Sequence, residues 1–348
     1  MTPLYLSPFI ASFIVSLFLT WVLIGFSEKF KLFFAIKPRH IHKKNISRLG
    51  GIAIIASFIA TIIFNPDLVL TQQLIGFLTG AIIILFFGVM DDFRALGWKK
   101  QLFFQLAVSV VIILSNIRVD YLTNPFGGMI RLDNWEIFST PVFGSMFIIF
   151  WIVFLMNVLN WVDGIDGLAG GVGVTGAGIL FFLSVSALVN QPPLGIISVA
   201  LVGAVLGFLV FNFHPAKIFM GTSGAMFIGF SLAVISIFSG VKLATLVLVL
   251  AVPILDALWV ILQRIKKGGS IFSGDRSHLH YRLLELGFSQ RQIVVFYYIL
   301  SAFFGIIALN ISGLGKVAAF LIFTAIILGI LMAVSLISKT REAQSQKE

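Results

Sequence analysis

The chain has 348 residues, of which 59% are hydrophobic and only 11% are charged, and its mean hydropathy is +1.07. This composition excludes a soluble domain and predicts an all-α polytopic membrane protein. The net charge of +10 is typical of basic loops that face anionic lipid headgroups, so we expect the lipid bilayer as a partner and no nucleic acid.

Apolar runs of about 20 residues recur along the chain and predict about eleven transmembrane helices. Their predicted limits are 4–26, 49–64, 73–90, 101–116, 142–160, 168–189, 195–213, 222–240, 243–263, 291–310 and 314–338. We assign residues 1–338 to a single membrane domain and 339–348 to a short polar tail. The first run has no basic residue ahead of it and no small-residue cleavage site, so we expect a retained span and no signal peptide.

The loops predict the orientation of the chain. Most of the 24 Lys and Arg residues fall in the loops 27–48, 91–100, 214–221 and 264–291 and in the tail. The positive-inside rule places these loops and the C-terminus in the cytoplasm, with the N-terminus outside. Turn residues and an alternating pattern between 117 and 141 predict a small external hairpin between the fourth and fifth spans. This hairpin is a candidate contact in a homodimer.

A run of amides and carboxylates, Asn157-Val-Leu-Asn-Trp-Val-Asp-Gly-Ile-Asp-Gly167, ends the fifth predicted span. Asn157 and Asn160 are three residues apart, and so are Asp163 and Asp166. On a helix each pair shares a face, so each pair can point at one ligand. The alternative is a polar loop in which Asn and Asp cap helices and form turns.

Two further clusters lie at predicted cytoplasmic helix ends. Asp91 and Asp92 repel each other unless a cation lies between them, which makes a divalent ion a candidate ligand. The alternative is a solvated acidic pair balanced by nearby basic residues. Thr222 and Ser223 open the eighth span, where free N–H groups favour an anion such as phosphate. The alternative there is a Thr or Ser N-cap.

Basic residues and one embedded acid complete the candidates. His278 and His280 lie near Arg276, and their spacing does not fit one helix face, so a phosphate clamp is favoured over a zinc pair. The first cytoplasmic loop adds Lys43, Lys44 and Arg48. For the histidine segment the alternative is a basic cytoplasmic loop, and for the first loop it is a topology signal alone. Asp256 lies inside the ninth span, either as a functional acid or as a buried pair with a neighbouring helix, near Pro253, which predicts a kink.

Acids that can hold Mg²⁺, cations that can hold phosphates and an Asn/Asp surface are all predicted on one face of the membrane. This combination predicts phosphoryl transfer at a membrane surface. One substrate is a soluble anionic nucleotide, and the other is a lipid phosphate that reaches the site from the bilayer.

The motifs, in this order, resemble those of the polyprenyl-phosphate N-acetylhexosamine-1-phosphate transferases. The resemblance runs from about residue 37 to residue 291. It rests on Arg39…His42…Arg48-Leu-Gly-Gly51, Asp91-Asp92, Asn157-x-x-Asn160-x-x-Asp163-Gly-x-Asp166-Gly-Leu168, Asn212-Phe-x-Pro-Ala-Lys217, Pro253-x-x-Asp256 and Asp275-Arg-Ser-His278-Leu-His280. No peptide-handling insertion is apparent, which favours the UDP-GlcNAc:undecaprenyl-phosphate branch over the phospho-MurNAc-pentapeptide branch.

The resemblance implies transfer of N-acetylhexosamine-1-phosphate from a UDP-N-acetylhexosamine, expected to be UDP-GlcNAc, to undecaprenyl phosphate, with release of UMP. The site would lie on the cytoplasmic face of a bacterial inner membrane, and the product would initiate cell-envelope polysaccharide synthesis. The cofactor implied is Mg²⁺, or Mn²⁺ in its place, at Asp91, Asp92 and position 222. The catalytic residues implied are Asp91, Asp92, Asp163, Asp166, His278 and His280. The substrate-binding residues implied are Lys43, Lys44, Arg48, Asn157, Asn160, Asn212, Lys217, Asp256 and Arg276.

Two residues depart from the family pattern. Thr222 stands where the family has an aspartate that is expected to bind Mg²⁺, and a neutral hydroxyl is a weaker ligand for a hard cation. We therefore expect an impaired variant, and favour an engineered origin because the surrounding residues are intact. Tyr281 replaces a frequent histidine and can still donate a hydrogen bond.

Two other classes of protein stay open. A transporter would place its polar residues near the membrane midplane in broken, repeated helices, and flux without UMP release would identify it. A catalytically dead binding protein would bind nucleotide without turnover, even after Thr222→Asp.

Overall fold

A computed structural model describes residues 2–32, 46–124, 126–137, 140–187, 189–238, 243–268 and 277–345. Within these ranges the chain forms thirteen α-helices and four short β-strands. The helices are α1 (Pro3–Lys29), α2 (Gly50–Ile63), α3 (Gln72–Arg94), α4 (Trp98–Leu114), α5 (Val142–Val162), α6 (Leu168–Val185), α7 (Pro192–Asn212), α8 (Gly221–Ile237), α9 (Leu243–Val249), α10 (Ala251–Lys266), α11 (Leu279–Glu285), α12 (Gln290–Asn310) and α13 (Leu314–Ser345). The strands are β1 (Tyr121–Thr123), β2 (Met129–Arg131), β3 (Glu136–Ile137) and β4 (Thr140–Pro141).

The helices confirm an all-α polytopic membrane protein. Each predicted span falls on one helix, except the ninth, which falls on the pair α9 and α10. Seven helices of the described chain are long and apolar enough to cross a membrane. The pair α9 and α10, bent by 76°, would make an eighth span. The apolar helices α2 and α8 are shorter, with 14 and 17 residues, and α4 also has 17 residues. The count of eleven spans and the orientation stay predictions.

The structure differs from the prediction at two helix boundaries. The ninth predicted span is broken at Leu250, between α9 and α10. Pro253 falls in the first turn of α10. Backbone N–H groups in a first turn have no partner within the helix, so the missing N–H of proline costs no hydrogen bond there. The bend therefore lies ahead of the proline. The helix α13 continues to Ser345, so residues 339–345 of the predicted polar tail are helical.

The predicted hairpin between α4 and α5 is present as two short antiparallel pairs. The strand β1 pairs with β2, and β3 pairs with β4. Gly127 and Gly128 adopt φ angles of 117° and 77° in the first turn, which favour glycine. The Asn124 side chain accepts the Phe126 N–H at 3.0 Å. The side of the membrane on which these strands lie stays a prediction.

The most buried helix is α8, which packs against α2, α3, α5 and α6. Each of its residues is buried except Thr222, which is partly exposed. An apolar helix that is buried on all sides belongs to the middle of a bundle. The fold therefore surrounds α8 with neighbouring helices and places Thr222 at one end of this ring.

Candidate active site

The adjacent acids at the end of α3 contact the first turn of α8. The Asp92 carboxylate accepts the backbone N–H groups of Thr222 at 2.8 Å and Ser223 at 3.3 Å, and the Ser223 hydroxyl at 3.1 Å. The Thr222 hydroxyl donates to Asp91 Oδ2 at 2.7 Å, and Gln101 donates to the other Asp91 oxygen at 3.0 Å. The N–H groups that we expected to bind phosphate, or to be capped by Thr or Ser, are thus occupied by a carboxylate from a neighbouring helix.

Gly221 makes this contact possible because it has no side chain. Its φ angle is 67°, in the left-handed region that favours glycine,. A Cβ atom there would lie 2.4 Å from Asp92 Oδ2 and 2.6 Å from the Arg48 carbonyl oxygen. The glycine therefore allows α3 and the loop before α2 to meet the start of α8.

The Arg48-Leu-Gly-Gly51 motif is held to the same turn by its backbone. The Gly50 and Gly51 N–H groups donate to the carbonyl oxygens of Phe219 and Met220, each at 3.0 Å. Arg48 is half-buried, and its charge favours the ionised form of Asp163. Arg48 is therefore a site residue by position. The predicted residues Lys43, Lys44 and Arg276 lie outside the described residues, as do Arg39 and His42.

The two acids of the Asp163–Asp166 pair lie in a turn, so the prediction that they share a helix face is wrong. The helix α5 ends at Val162, and α6 begins after Gly167. The Asp166 carboxylate is buried, accepts the Ala216 N–H at 3.0 Å and lies 2.8 Å from His214 Nδ1. Asp163 is half-buried, and removal from water raises its pKa to about 7 despite the nearby Arg48 charge,.

Asn212 connects the turn to the loop that follows α7. Its side-chain oxygen accepts the Gly167 N–H at 3.1 Å, and its amide donates to the Ile218 carbonyl at 2.9 Å. Arg291 donates twice to the His214 carbonyl, at 3.0 and 3.2 Å. Asn212 is 2% exposed, so its observed contacts position the backbone of the site.

The predicted asparagine pair lies on α5, one turn from the end of the helix. The Asn157 amide donates to Gln105 Oε1 at 2.9 Å and to the Val153 carbonyl at 2.8 Å. Asn160 is half-buried, and Lys217 is exposed on the loop after α7. Asn157 is therefore held by α4, while the substrate-binding roles of the three predicted residues stay predictions.

The two histidines lie in different surroundings although their rings are parallel, with centroids 5.7 Å apart. His278 Nδ1 lies 3.0 Å from Asp256 Oδ2, and Asp256 Oδ1 accepts the Leu279 N–H at 2.8 Å. Asp256 is fully buried, which favours the predicted alternative of a buried pair over a direct substrate ligand. Burial lowers the pKa of His280 to about 3, so this ring is neutral,.

The histidine segment contacts the turn after α5 at Gly164. A Cβ atom on Gly164 would lie 2.2 Å from His280 Nε2, so the glycine allows close approach of the ring. Tyr281 donates a hydrogen bond to the Gly164 carbonyl at 3.4 Å. Asp163 in the same turn lies close enough to Arg48 and Asp92 for their charges to act on it. The turn therefore lies between the histidine segment and the group formed by the α3 acids and the start of α8.

The donor set for a cation consists of oxygen atoms. Asp91, Asp92 and the Thr222 hydroxyl are adjacent, and oxygen ligands suit a hard cation such as Mg²⁺. Within the described ranges, no group of three or more His, Cys, Asp or Glu side chains has the spacing of a metal site. The residues present have the oxygen ligands that Mg²⁺ prefers, and an acid at position 222 would give the site three carboxylates.

Sequence reasoning missed several residues that support the site. The members are Gln101, Gln105, His214, Gln290 and Arg291. Gln101 and Gln105 lie four residues apart in an otherwise apolar stretch of α4, a spacing that indicates a shared polar face. Gln290 accepts the Asp166 N–H at 3.3 Å. No comparable signal in the sequence indicated Gln290 or Arg291, because their partners are distant along the chain.

Comparison with known proteins indicates the family to which the chain belongs. Residues 74–240 match the model of glycosyl transferase family 4. The chain is 30% identical to a probable undecaprenyl-phosphate N-acetylglucosaminyl 1-phosphate transferase of Bacillus subtilis, over 83% of this chain and 80% of the relative. It is 30% identical to a decaprenyl-phosphate N-acetylglucosaminephosphotransferase of Mycobacterium tuberculosis, over 76% and 71%. It is 31% identical to a phospho-N-acetylmuramoyl-pentapeptide-transferase of Bacillus licheniformis, over 82% and 91%.

The matched region contains Asp91, Asp92, the run from Asn157 to Asp166, and Thr222, and the relatives extend the similarity over most of the chain. Coverage and identity of this extent establish common descent. The chain therefore belongs to glycosyl transferase family 4, the polyprenyl-phosphate N-acetylhexosamine-1-phosphate transferases.

Proposed function

We propose that this protein transfers N-acetylhexosamine-1-phosphate from a UDP-sugar to undecaprenyl phosphate at the cytoplasmic face of the membrane and releases UMP. GlcNAc-1-phosphate is the expected group, because two of the relatives named above act with N-acetylglucosamine. The lipid diphosphate sugar formed would begin synthesis of a cell-envelope polysaccharide.

The observation that carries this proposal is the contact between the α3 acids and the start of α8, next to Arg48 and the turn with Asp163. Carboxylates and a cationic side chain lie side by side in a partly buried region. Such a region can hold two phosphate groups that repel each other in water.

The residues of the site have separate roles in the proposal. Arg48 and His278 would bind phosphate oxygens through charge-assisted hydrogen bonds. Asp163 and the asparagines of α5 would hold the nucleotide, and one of the α3 acids would position the acceptor phosphate. We favour direct attack by the acceptor phosphate oxygen on the sugar-linked phosphorus of the donor, because this oxygen already is a nucleophile. The P–O bond to UMP breaks in the same exchange.

Asp91, Asp92 and the oxygen at position 222 would be the ligands that hold Mg²⁺ in this proposal. Neutralisation of phosphate charge is the chemistry that such an ion supplies. The Thr222 hydroxyl donates a hydrogen bond to Asp91 Oδ2, and a bound cation would have to replace this hydrogen bond. We therefore expect weak cation binding and low turnover in this chain.

The same hydrogen bond favours a second candidate function, a protein that binds nucleotide and lipid without turnover. The Thr222 hydroxyl supplies Asp91 with a hydrogen-bond donor, so this carboxylate has a partner without a cation. A protein of this kind would keep the pocket and its ligands while lacking the chemical step. The two functions differ in the response to Thr222→Asp.

A UMP-release assay in detergent tests the proposal. It uses a panel of UDP-sugars, undecaprenyl phosphate and Mg²⁺, with this chain and its Thr222→Asp variant in parallel. The proposal expects UMP release that requires both the lipid and one UDP-N-acetylhexosamine. Nucleotide binding with no release by either protein would instead establish the binding function, and release without the lipid would contradict both.

A further inference from the structure

The two stacked histidines, His278 and His280, differ in their hydrogen-bond partners, and the proposed function does not use this difference. His278 has a carboxylate partner in Asp256 at 3.0 Å. His280 is fully buried, and both of its ring nitrogens lack a hydrogen-bond partner within the described part of the chain. The two rings have centroids only 5.7 Å apart, yet among the described residues the fold gives a hydrogen-bond partner to one of them and not to the other.

The position of Asp256 is fixed from two directions. Its Oδ1 atom accepts the Leu279 N–H at 2.8 Å, at the start of α11. Its Oδ2 atom is thereby left for His278 Nδ1, and its side chain is inaccessible to solvent. A buried carboxylate accepts hydrogen bonds and donates none. The His278 ring must therefore carry a proton on Nδ1 to satisfy Asp256.

We propose that Asp256 is a positioning residue that holds His278 in the Nδ1–H tautomer and so presents Nε2 to the substrate phosphates. With Nδ1 bound to the carboxylate, Nε2 is the ring nitrogen that remains for a ligand. A further proton on Nε2 creates an imidazolium that donates to a phosphate oxygen, and the Asp256 carboxylate stabilises its charge.

The neighbouring His280 supports this division of labour. Burial holds its pKa at about 3, so His280 remains uncharged and does not repel a protonated His278. The tautomer of His278 is a property of the fold alone, whereas its consequence for catalysis rests on the proposed transferase function.

Nitrogen-15 spectra of histidine-labelled protein in lipid vesicles test the tautomer directly. The chain has five histidines, and His278→Gln identifies the His278 signals by their loss. At a pH where this ring is neutral, we expect a protonated Nδ1 and an unprotonated Nε2. A neutral ring protonated on Nε2 in the unaltered chain would overturn the proposal, whatever the activity.

Asp256→Asn supplies the second measurement. The Leu279 N–H retains the asparagine oxygen as its acceptor, so the amide group faces His278 as a donor and favours the opposite tautomer. We expect the Nε2–H form of His278 in this variant. Asp166→Asn is the matched control, because Asp166 holds His214 in a similar pair. It should alter the His214 signals and leave those of His278 unchanged.

Steady-state kinetics separate positioning from general structural support. In the Thr222→Asp background, Asp256→Asn should lower kcat by about 10²-fold, the usual loss for one preorganised donor, with a smaller change in KM. When His278→Gln is already present, Asp256→Asn should cost less than about 3-fold more, because the two residues act as a unit. Costs that multiply would overturn the proposal. Absent turnover with the expected tautomers would refute the transferase function and leave the Asp256 assignment intact.

Discussion

A hydroxyl group at position 222 behaves differently from a carboxylate because it can donate a hydrogen bond. In the observed site the Thr222 hydroxyl donates to Asp91, while the backbone of the same turn donates to Asp92. A carboxylate at position 222 would instead bring a third negative charge to the same place, and only a cation or protonation would relieve the repulsion. In the proposed function, the side chain at position 222 would therefore decide how strongly the site needs a cation.

Gly221 has a left-handed backbone conformation and lies against the Asp92 carboxylate. The variant Gly221→Ala tests that contact. The φ angle of 67° and the close Asp92 oxygen predict strain of about 1–3 kcal/mol, seen as a lower melting temperature in detergent. Nucleotide binding should weaken as Asp92 is displaced. Gly97→Ala is the control, since nothing lies within 4 Å of its Cβ position. Equal stability of the two variants would contradict the described contact.

Asp163 predicts a pH dependence of stability. Burial raises the pKa of Asp163 to about 7 in the folded protein, above the ordinary aspartate value of 3.8, so between these values the folded state binds more protons than the unfolded state. Stability should therefore fall as pH rises from about 4 to about 7, and level off above that. Melting temperatures measured with a chelator should show this slope in the parent chain.

Asp163→Asn removes the titrating group, so the variant should gain stability relative to the parent as pH rises through this window. The comparison is made within one protein pair at each pH, which cancels the contributions of acids that do not interact with Asp163. A parent slope that persists unchanged in Asp163→Asn would show that another group is responsible.

The helices α1 and α7 approach closely through small residues. The Ser16 hydroxyl donates to the Ala204 carbonyl at 2.5 Å. A Cβ atom on Gly207 would lie 2.4 Å from the Phe13 carbonyl oxygen. Close approach of this kind supplies van der Waals contact between helices in a membrane, where lipid removes the hydrophobic driving force.

Gly207→Ala should therefore destabilise the protein by about 1–3 kcal/mol through overpacking. Gly178→Ala, in α6, is the matched control because nothing lies within 4 Å of its Cβ position. Alanine is the better helix former, so the control should be neutral or more stable by up to about 1 kcal/mol. Thermal unfolding in detergent measures both, and opposite signs are the expected result.

The positions of the helices follow closely from the sequence, because apolar runs of spanning length have few other solutions. The break at Leu250 and the turn at 163–167 were less predictable. Both depend on how α9, α10 and the loop after α7 pack, and this packing is set by residues far away in the chain. Asp163 and Asp166 were expected on one helix face, yet Asn212 and His214 hold this segment in a turn.

The candidate site was predictable in its residue types and only partly in its contacts. Asp91, Asp92, Thr222, His278 and Asp256 were all singled out from the sequence. The carboxylate that occupies the start of α8 was not foreseen, since no spacing rule relates residue 92 to residue 222. The pairing of Asp256 with His278 was likewise invisible without the fold.

The molecule as a whole has an orientation that the charge distribution predicts and that labelling can test. The chain has no cysteine, so a single introduced cysteine is the only site for a thiol reagent. Met129→Cys lies in the hairpin region and is expected outside, while Lys99→Cys lies near the candidate site and is expected inside. A membrane-impermeant maleimide applied to intact cells should label the first and spare the second. The reverse pattern would place the site on the outer face.

The proposed function makes one claim about the whole molecule: the helix ends around Thr222 form a single site for transfer between a nucleotide sugar and a lipid phosphate. The most direct measurement is the rate of lipid-linked sugar formation from UDP-GlcNAc and undecaprenyl phosphate, titrated with Mg²⁺. Thr222→Asp should exceed the parent by at least about 10²-fold and saturate at lower Mg²⁺, while Thr222→Val, which removes only the hydroxyl, should give no gain. Equal rates for Thr222→Asp and Thr222→Val over the whole titration would contradict the claim.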